Sequence, residues 1–271
     1  MGFDTVERRG IVLLGCGKMG SAMLAGWMDA GLPARSVWVN EPAPSDWLKG
    51  LDGLHLNRPF PEAPAVVLIA VKPQMMDEAL PALAELDGHP LFLSVAAGTP
   101  ISKYQAHLGA GARIIRAMPK TPAAVARGIT ALFGSETIEE DDMVMAETLL
   151  SAIGQTVRLA HEAQMDAVTA VSGSGPAYVF HLIEMLAAAG EAEGLPPDLA
   201  MQLAKATVGG AGHLAEQAEE DPAQLRINVT SPNGTTAAAL EVLMDPTSGF
   251  PALLPKAVAA AARRSEELGN G

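Results

Sequence analysis

Six residues near the start of the chain, Gly15-Cys16-Gly17-Lys18-Met19-Gly20, restrict the fold more than any other feature. They follow the short apolar run Ile11 to Leu14 and precede a helical stretch, Ser21 to Ala30, that Gly31 closes. A G-x-G-x-x-G between a strand and a helix is the phosphate turn of a dinucleotide-binding βαβ unit. Gly15 permits the tight turn, Gly17 leaves room for a pyrophosphate against the backbone, and Gly20 lets the helix lie close on the strand. The helix start, at Lys18 and Met19, then offers free N–H groups to phosphate oxygens. A plain strand-to-helix turn is the alternative, and the βαβ context weighs against it.

The alternation continues beyond this unit. Val37 to Val39 reads as a second strand, and Ala65 to Val71 is an unbroken apolar run of the kind found in strands buried on both faces. Leu91 to Val95, Ile114 to Met118, Ile129 to Phe133 and Thr156 to Leu159 repeat the pattern. A helix from Ile138 to Ile153 follows Thr137, with Glu139 and Glu140 in its first turn. This order predicts an α/β, Rossmann-like, doubly wound parallel sheet over residues 1–160. Past Ala160 the strand signals end. Helical periodicity over 164–172, 176–193, 198–218, 235–244 and 252–268, broken by Gly and Pro, predicts an all-helical domain over 161–271. Its alanine-rich faces suit close helix packing and a dimer interface.

Charge narrows the partners. With 31 Asp and Glu against 18 Lys and Arg the formal net charge is −13, so a nucleic-acid duplex would repel the chain. Cys16 is the single cysteine, which rules out an intrachain disulfide and gives no sign of secretion. No apolar run reaches the roughly 18 residues of a membrane helix, and Met1-Gly2-Phe3-Asp4 does not open a signal peptide, so no membrane partner and a cytoplasmic location are expected. The six histidines form no ligand-spaced cluster, and no metal is expected.

Glu41 lies 21 residues past Gly20, at the end of the second strand. An acid there accepts hydrogen bonds from the adenosine ribose and repels a 2′-phosphate, which favours NADH over NADPH. A solvated turn residue ahead of Pro42 is the alternative, and Lys49 and Arg58 are substitutes that would hold a 2′-phosphate. The preference within NAD(P)H therefore stays open, with a lean to NADH. Oxidoreductases that relay a proton through Tyr and a Lys four residues on are excluded, because Leu108 and Leu182 stand at that spacing from Tyr104 and Tyr178. The helical G-x-G followed by Lys that serves β-hydroxyacid oxidation is also missing, since Val179 stands four residues after Gly175. A substrate that is already cationic needs no such relay. Two helix starts, Ser172 to Tyr178 and Thr230 to Thr236, offer hydroxyls and N–H groups. The second suits a substrate carboxylate, with helix capping as the alternative for both.

In order along the chain, the glycine loop, Ala70-Val71-Lys72-Pro73, Ser94-Val95-Ala96-Ala97-Gly98, Arg116-Ala117-Met118-Pro119-Lys120-Thr121-Pro122, Ser172 to Tyr178 and Ser231 to Thr236 resemble the pyrroline-5-carboxylate reductase family over nearly the whole length. The resemblance implies reduction of the cyclic imine Δ1-pyrroline-5-carboxylate to L-proline with NAD(P)H, the last step of proline synthesis. It implies that Ser231 and the N–H groups of Thr235 and Thr236 hold the substrate carboxylate, that the Thr236 hydroxyl faces the ring nitrogen, and that Glu219 stabilises the iminium. Asn57 would lie at the adenosine ribose, and Ala70, Lys72 and Pro73 at the cofactor edge of the sheet. An interlocked homodimer with the active site completed across its interface, and assembly into decamers, are implied as well. Three positions depart from the family: Lys120 replaces Asn, Asn233 replaces the first Gly of Ser-Pro-Gly-Gly, and Glu41 stands where NADPH-using members carry a small hydroxyl residue. Two other readings stand beside this one: a related imine or keto-acid reductase with a different substrate, and a dinucleotide-binding regulator without turnover. Intact Ser231, Thr235 and Thr236 weigh against the regulator.

Overall fold

The computed structural model describes residues 3–119 and 128–270. Among these, eight strands form one sheet: β1 (Ile11–Leu14), β2 (Val37–Asn40), β3 (His55–Leu56), β4 (Val66–Ile69), β5 (Leu91–Ser94), β6 (Arg113–Met118), β7 (Gly128–Gly134) and β8 (Gly154–Arg158). Their spatial order is β3-β2-β1-β4-β5-β6-β7-β8. The chain winds outward from β1 in one direction to β3, returns to β4 on the other side of β1, and winds outward again. The reversal between β1 and β4 is the topological switch point, where open α/β sheets bind ligands at the carboxyl ends of their strands.

The sheet departs from the expected all-parallel form at its far edge. Pairing is parallel from β3 through β6, but β7 runs antiparallel to β6, and β8 is parallel to β7. Only nine residues separate Met118 from Gly128. Parallel neighbours need a crossover of a dozen or more, so β7 pairs antiparallel. β4 is shorter than its seven-residue apolar run, yet the run is used throughout. The Ala65 and Ala70 N–H groups donate to Gly10 O and Leu14 O, extending the hydrogen bonding past both ends of the strand.

Every residue of β1, β4 and β5 is buried. Helix α1 (Asp4–Arg9) precedes β1, and α2 (Lys18–Asp29) follows the glycine loop. The buried residues of α2, Gly20, Met23, Leu24 and Trp27, recur at helical spacing on one face. Each large apolar side chain so buried contributes about 1.5–3 kcal/mol. The wholly buried Trp27 also donates from Nε1 to Leu149 O at 2.8 Å, which fastens α2 to α6 (Glu140–Leu150). The cap of α6 is Glu139 rather than Thr137, through a reciprocal capping box with Asp142. The Thr137 hydroxyl instead donates to Ala112 O. Short helices α3 (Asp46–Lys49) and α4 (Met76–Ala79), then α5 (Ile101–Leu108), complete the connections.

After β8, α7 (Gln164–Val168) runs into a π-helical turn, Thr169–Gly173. Five helices follow: α8 (Gly175–Ala192), α9 (Pro197–Gln217), α10 (Pro222–Asn228), α11 (Thr235–Leu243) and α12 (Phe250–Asn270). By their contacts the residues form two units, Met1–Gly173 together with Ala262–Gly271, and Ser174–Ala261. The last part of α12 thus belongs to the sheet-bearing unit. In the second unit α8 and α9 pack through Ala187, Ala200 and Ala204. A side chain at Gly190 would come within 3.4 Å of Ala200 Cβ, so small residues set this close approach. Large apolar side chains lie outward instead, with Phe180 57%, Met185 50%, Leu203 47% and Val242 70% exposed. Among the described residues no helix is long and apolar enough to cross a membrane.

Candidate active site

The glycine loop sits at the carboxyl end of β1, beside the switch point. Gly15 has φ +87°, and a Cβ there would lie 2.9 Å from Ala70 O, so neither its conformation nor its surroundings admit a side chain. A Cβ on Gly20 would lie 2.6 Å from Gly15 O, which makes that glycine the condition for α2 to rest on the loop. Gly17 differs. It caps α2 without a side-chain hydrogen bond, and a Cβ on it would meet nothing within 4 Å. The fold leaves that space open, at the positive end of a 12-residue helix whose first N–H groups, including those of Lys18 and Met19, have no partner within the helix. A pyrophosphate fits these features: an anion, approached by backbone alone.

Glu41 follows β2 and turns its carboxylate onto this loop. Oε2 accepts from the Cys16 N–H at 2.7 Å and Oε1 from the Ala43 N–H at 3.0 Å. Asn57 holds Glu41 in place: its Oδ1 accepts from the Glu41 N–H at 2.9 Å and its Nδ2 donates to Glu41 O at 3.0 Å. Asn57 adopts φ 51°, a conformation Asn tolerates better than other side-chain-bearing residues. Its amide thus acts on the backbone of Glu41. Burial, reinforced by the Glu41 charge, pushes the Cys16 thiol up to about 11, so it stays protonated and serves as packing. Ala70 is half-buried against Gly15, and Lys72 stands exposed at the start of a short turn, Pro73–Met75. The structure therefore gathers Gly15, Gly17, Lys18, Met19, Gly20, Glu41, Asn57 and Ala70 around one loop, with Lys72 and Pro73 just beyond β4. Lys120, Thr121 and Pro122 lie outside the described residues.

In the second unit, Ser231 to Gly234 make a tight turn in which the Gly234 N–H donates to Ser231 O at 3.0 Å. Asn233 has φ 56°, which explains why Asn replaces Gly at this position. Gly234 caps the nine-residue α11 without a side-chain hydrogen bond, leaving the Thr235 and Thr236 N–H groups at the helix start available to an anion. Ser231 and Thr235 are exposed and Thr236 is half-buried. Glu219 lies exposed between α9 and α10, and among the described residues no hydrogen bond or ion pair joins it to Thr236. The other helix start behaves differently: the Ser172 hydroxyl donates back to Val168 O at 3.0 Å, inside the π-helical turn.

Two family models match the chain: pyrroline-5-carboxylate reductase dimerisation over residues 162–268, and NADP oxidoreductase, coenzyme F420-dependent, over residues 10–98. A pyrroline-5-carboxylate reductase of Pseudomonas aeruginosa is 39% identical, across 95% of this chain and 96% of its own length. The chain belongs to the pyrroline-5-carboxylate reductase family. The reductase of Synechocystis is 41% identical, across 95% of this chain and 97% of its own. The fold agrees: the structure of a pyrroline-5-carboxylate reductase from Coxiella burnetii superposes with a TM-score of 0.89 at 34% identity, over 96% of this chain and 98% of that one. The Plasmodium falciparum pyrroline carboxylate reductase, solved with NADP bound, gives a TM-score of 0.83 at 26% identity over 97% and 99%. Within this family frame, what the sequence did not single out is Glu162, whose carboxylate joins distant segments of the first unit. Only the folded chain brings its partners together.

Proposed function

We propose that this chain reduces Δ1-pyrroline-5-carboxylate to L-proline with NAD(P)H. The observation that carries the reading is likeness along almost the entire chain to reductases of that name, with the glycine loop present and the turn before α11 changed only at Asn233. When bound, a reduced nicotinamide supplies the hydride that adds to the carbon of the C=N bond. The residues of the chain bind and orient. Gly15, Gly17 and Gly20 shape the pyrophosphate cradle, with Lys18 and Met19 at the helix start, Asn57 fixing Glu41, and Ala70, Lys72 and Pro73 at the sheet edge. Ser231 and the N–H groups of Thr235 and Thr236 hold the substrate carboxylate. The Thr236 hydroxyl faces the ring nitrogen and keeps it protonated, and Glu219 offsets the iminium charge. Because the protonated imine already accepts hydride, catalysis rests on positioning and charge complementarity.

The orientation of Glu41 supports NADH as the preferred donor, since a carboxylate held over the glycine loop repels a 2′-phosphate. In this reading residues 1–160 bind the dinucleotide, while 161–271 bind substrate and dimerise. The exposed apolar side chains of α8, α9 and α11 support a second copy of the chain as their cover. In the same reading the active site is completed across that interface, dimers assemble further to a decamer, and the enzyme works in the cytoplasm. The test follows the loss of reduced-nicotinamide absorbance with Δ1-pyrroline-5-carboxylate, using NADH and NADPH at equal concentration. Substrate-dependent oxidation is expected, with higher kcat/KM for NADH. Folded, dimeric protein that oxidises neither donor would overturn the function. Equal or better use of NADPH would remove only the Glu41 argument.

A further inference from the structure

We propose that Glu162 is a positioning residue for the nicotinamide half of the dinucleotide site, an inference that rests on the reductase reading above. One of its oxygens, Oε1, accepts from Arg116 Nη1 at 2.6 Å and from the Ile101 N–H at 2.8 Å. Arg116 lies on β6, with its side chain only 11% exposed, and pairs in register with Ser94 at the end of β5. Ile101 is the first residue of α5, so Glu162 closes the far end of the loop that runs from β5 into that helix.

The near end of the same loop is closed by a second polar group. The Ser94 hydroxyl is hydrogen-bonded to the hydroxyl of Tyr104, which is wholly buried on α5, and accepts from the Ala96 N–H at 3.3 Å. Both Arg116 and Glu162 act on Tyr104 electrostatically. The loop bearing Gly98 is thus fixed at Ser94 and Ile101, and one carboxylate ties it to β6. These strand ends lie on the β4 side of the switch point. Glu41 and Asn57 occupy the other side, at β2 and β3, where the adenosine half binds. The remaining half of a dinucleotide must lie over β4, β5 and β6. A charge-assisted bond with its Arg116 end buried holds its geometry there better than a fully exposed ion pair would.

The test compares E162A, E162Q and R116K with the parent protein. E162A loses both bonds, E162Q keeps an acceptor for Ile101 but loses its charge toward Arg116, and R116K keeps the charge but loses the planar fork. Dissociation of NADH, followed by fluorescence without substrate, is expected to weaken about tenfold in E162A, and kcat to fall about 10–100-fold, as loss of near-attack geometry does. KM for the imine should change less than about threefold, because the carboxylate loop lies elsewhere in the chain. E162Q and R116K are expected to fall between E162A and the parent. Folded E162A whose NADH affinity and kcat stay within about twofold of the parent overturns the proposal, even if its melting temperature drops. If E162A does not fold, E162Q and R116K decide by the same criterion. A parent protein that binds NADH but does not turn over the imine removes the reductase reading, while the affinity comparison still tests Glu162.

Discussion

Two alanine substitutions three residues apart should separate the two jobs of the glycine loop. In Gly20→Ala the new Cβ would lie 2.6 Å from Gly15 O, about 0.8 Å inside the 3.4 Å at which ordinary contacts begin. Gly15 cannot yield: its N–H is bonded to Asn40 O at 2.8 Å and its φ of +87° makes the tight turn. Helix α2 must move instead. Overpacking of this kind costs about 1–3 kcal/mol, and the helix propensity of Ala returns up to about 1 kcal/mol. A net loss of about 1–2 kcal/mol corresponds to a fall in Tm of roughly 2–8 °C for a unit of this size. In Gly17→Ala nothing lies within 4 Å of the new Cβ, and φ −70°, ψ −158° suits any residue. Reduced chain entropy and the poorer capping of Ala oppose each other, so stability should change by less than about 1 kcal/mol. Yet the methyl group fills the space through which a pyrophosphate reaches the backbone, and NADH affinity should fall at least about tenfold, or ~1.4 kcal/mol. Thermal unfolding and a fluorescence titration with NADH, run on both variants, check this. Gly17→Ala binding NADH as tightly as the parent would refute the assignment of that space to the pyrophosphate. Gly20→Ala with unchanged Tm would refute the packing argument.

Other outcomes follow from the same geometry. Glu41→Ser removes a charge held at 2.7 Å from the Cys16 N–H, and the ratio of kcat/KM for NADPH over NADH should rise about tenfold in parallel assays; an unchanged ratio removes Glu41 as the discriminator. Cys16 in the native protein should resist alkylation around pH 8.5, where an ordinary thiol reacts, and become reactive only as the pH nears its raised pKa of about 11 or when urea unfolds the chain, as mass spectrometry of labelled protein can follow. Asn233→Val should lose about 1–2 kcal/mol by chemical denaturation while Asn233→Gly loses almost none, because φ is 56° there. Gly269→Ala would place a Cβ 2.7 Å from Gly98 O, so it should disturb the loop between β5 and α5 and lower kcat by about tenfold in steady-state assays.

The parts of the molecule legible in its sequence are those whose cause is local. The glycine loop could be read because Gly15 answers to its own φ of +87° and Gly20 to a carbonyl five residues back, and β4 because an apolar run of its length has few other uses. β3 leaves no signal in the sequence, since His55 and Leu56 are too few to carry a periodicity and are strand only through pairing with β2. The antiparallel turn of β7 left one trace, the short spacing from β6. Helix α10 did leave a signal in Asp221 and Pro222, a cap followed by proline at the first helical position, which the breaks on either side obscured. At the site, Asn57 was legible as a position but not as a clamp on the Glu41 backbone, and Glu162 not at all. Its partners Ile101 and Arg116 lie 61 and 46 residues away, and no local pattern encodes such a meeting.

The membership of the two units has a consequence for how the chain reaches its native state. The sheet-bearing unit takes its last piece, residues 262–270, from beyond the whole of Ser174–Ala261, and that piece touches the first unit at Gly98 and through the Ser265 hydroxyl on Asp166 at 2.7 Å. A ribosome therefore releases all eight strands long before the helical segment that completes their unit. Until residue 270 has been made, the newborn unit is missing the support against Gly98, and the loop between β5 and α5 cannot settle. Long-range contacts of this kind form late and slow folding, so the loop between β5 and α5 would be the last part of the first unit to become ordered.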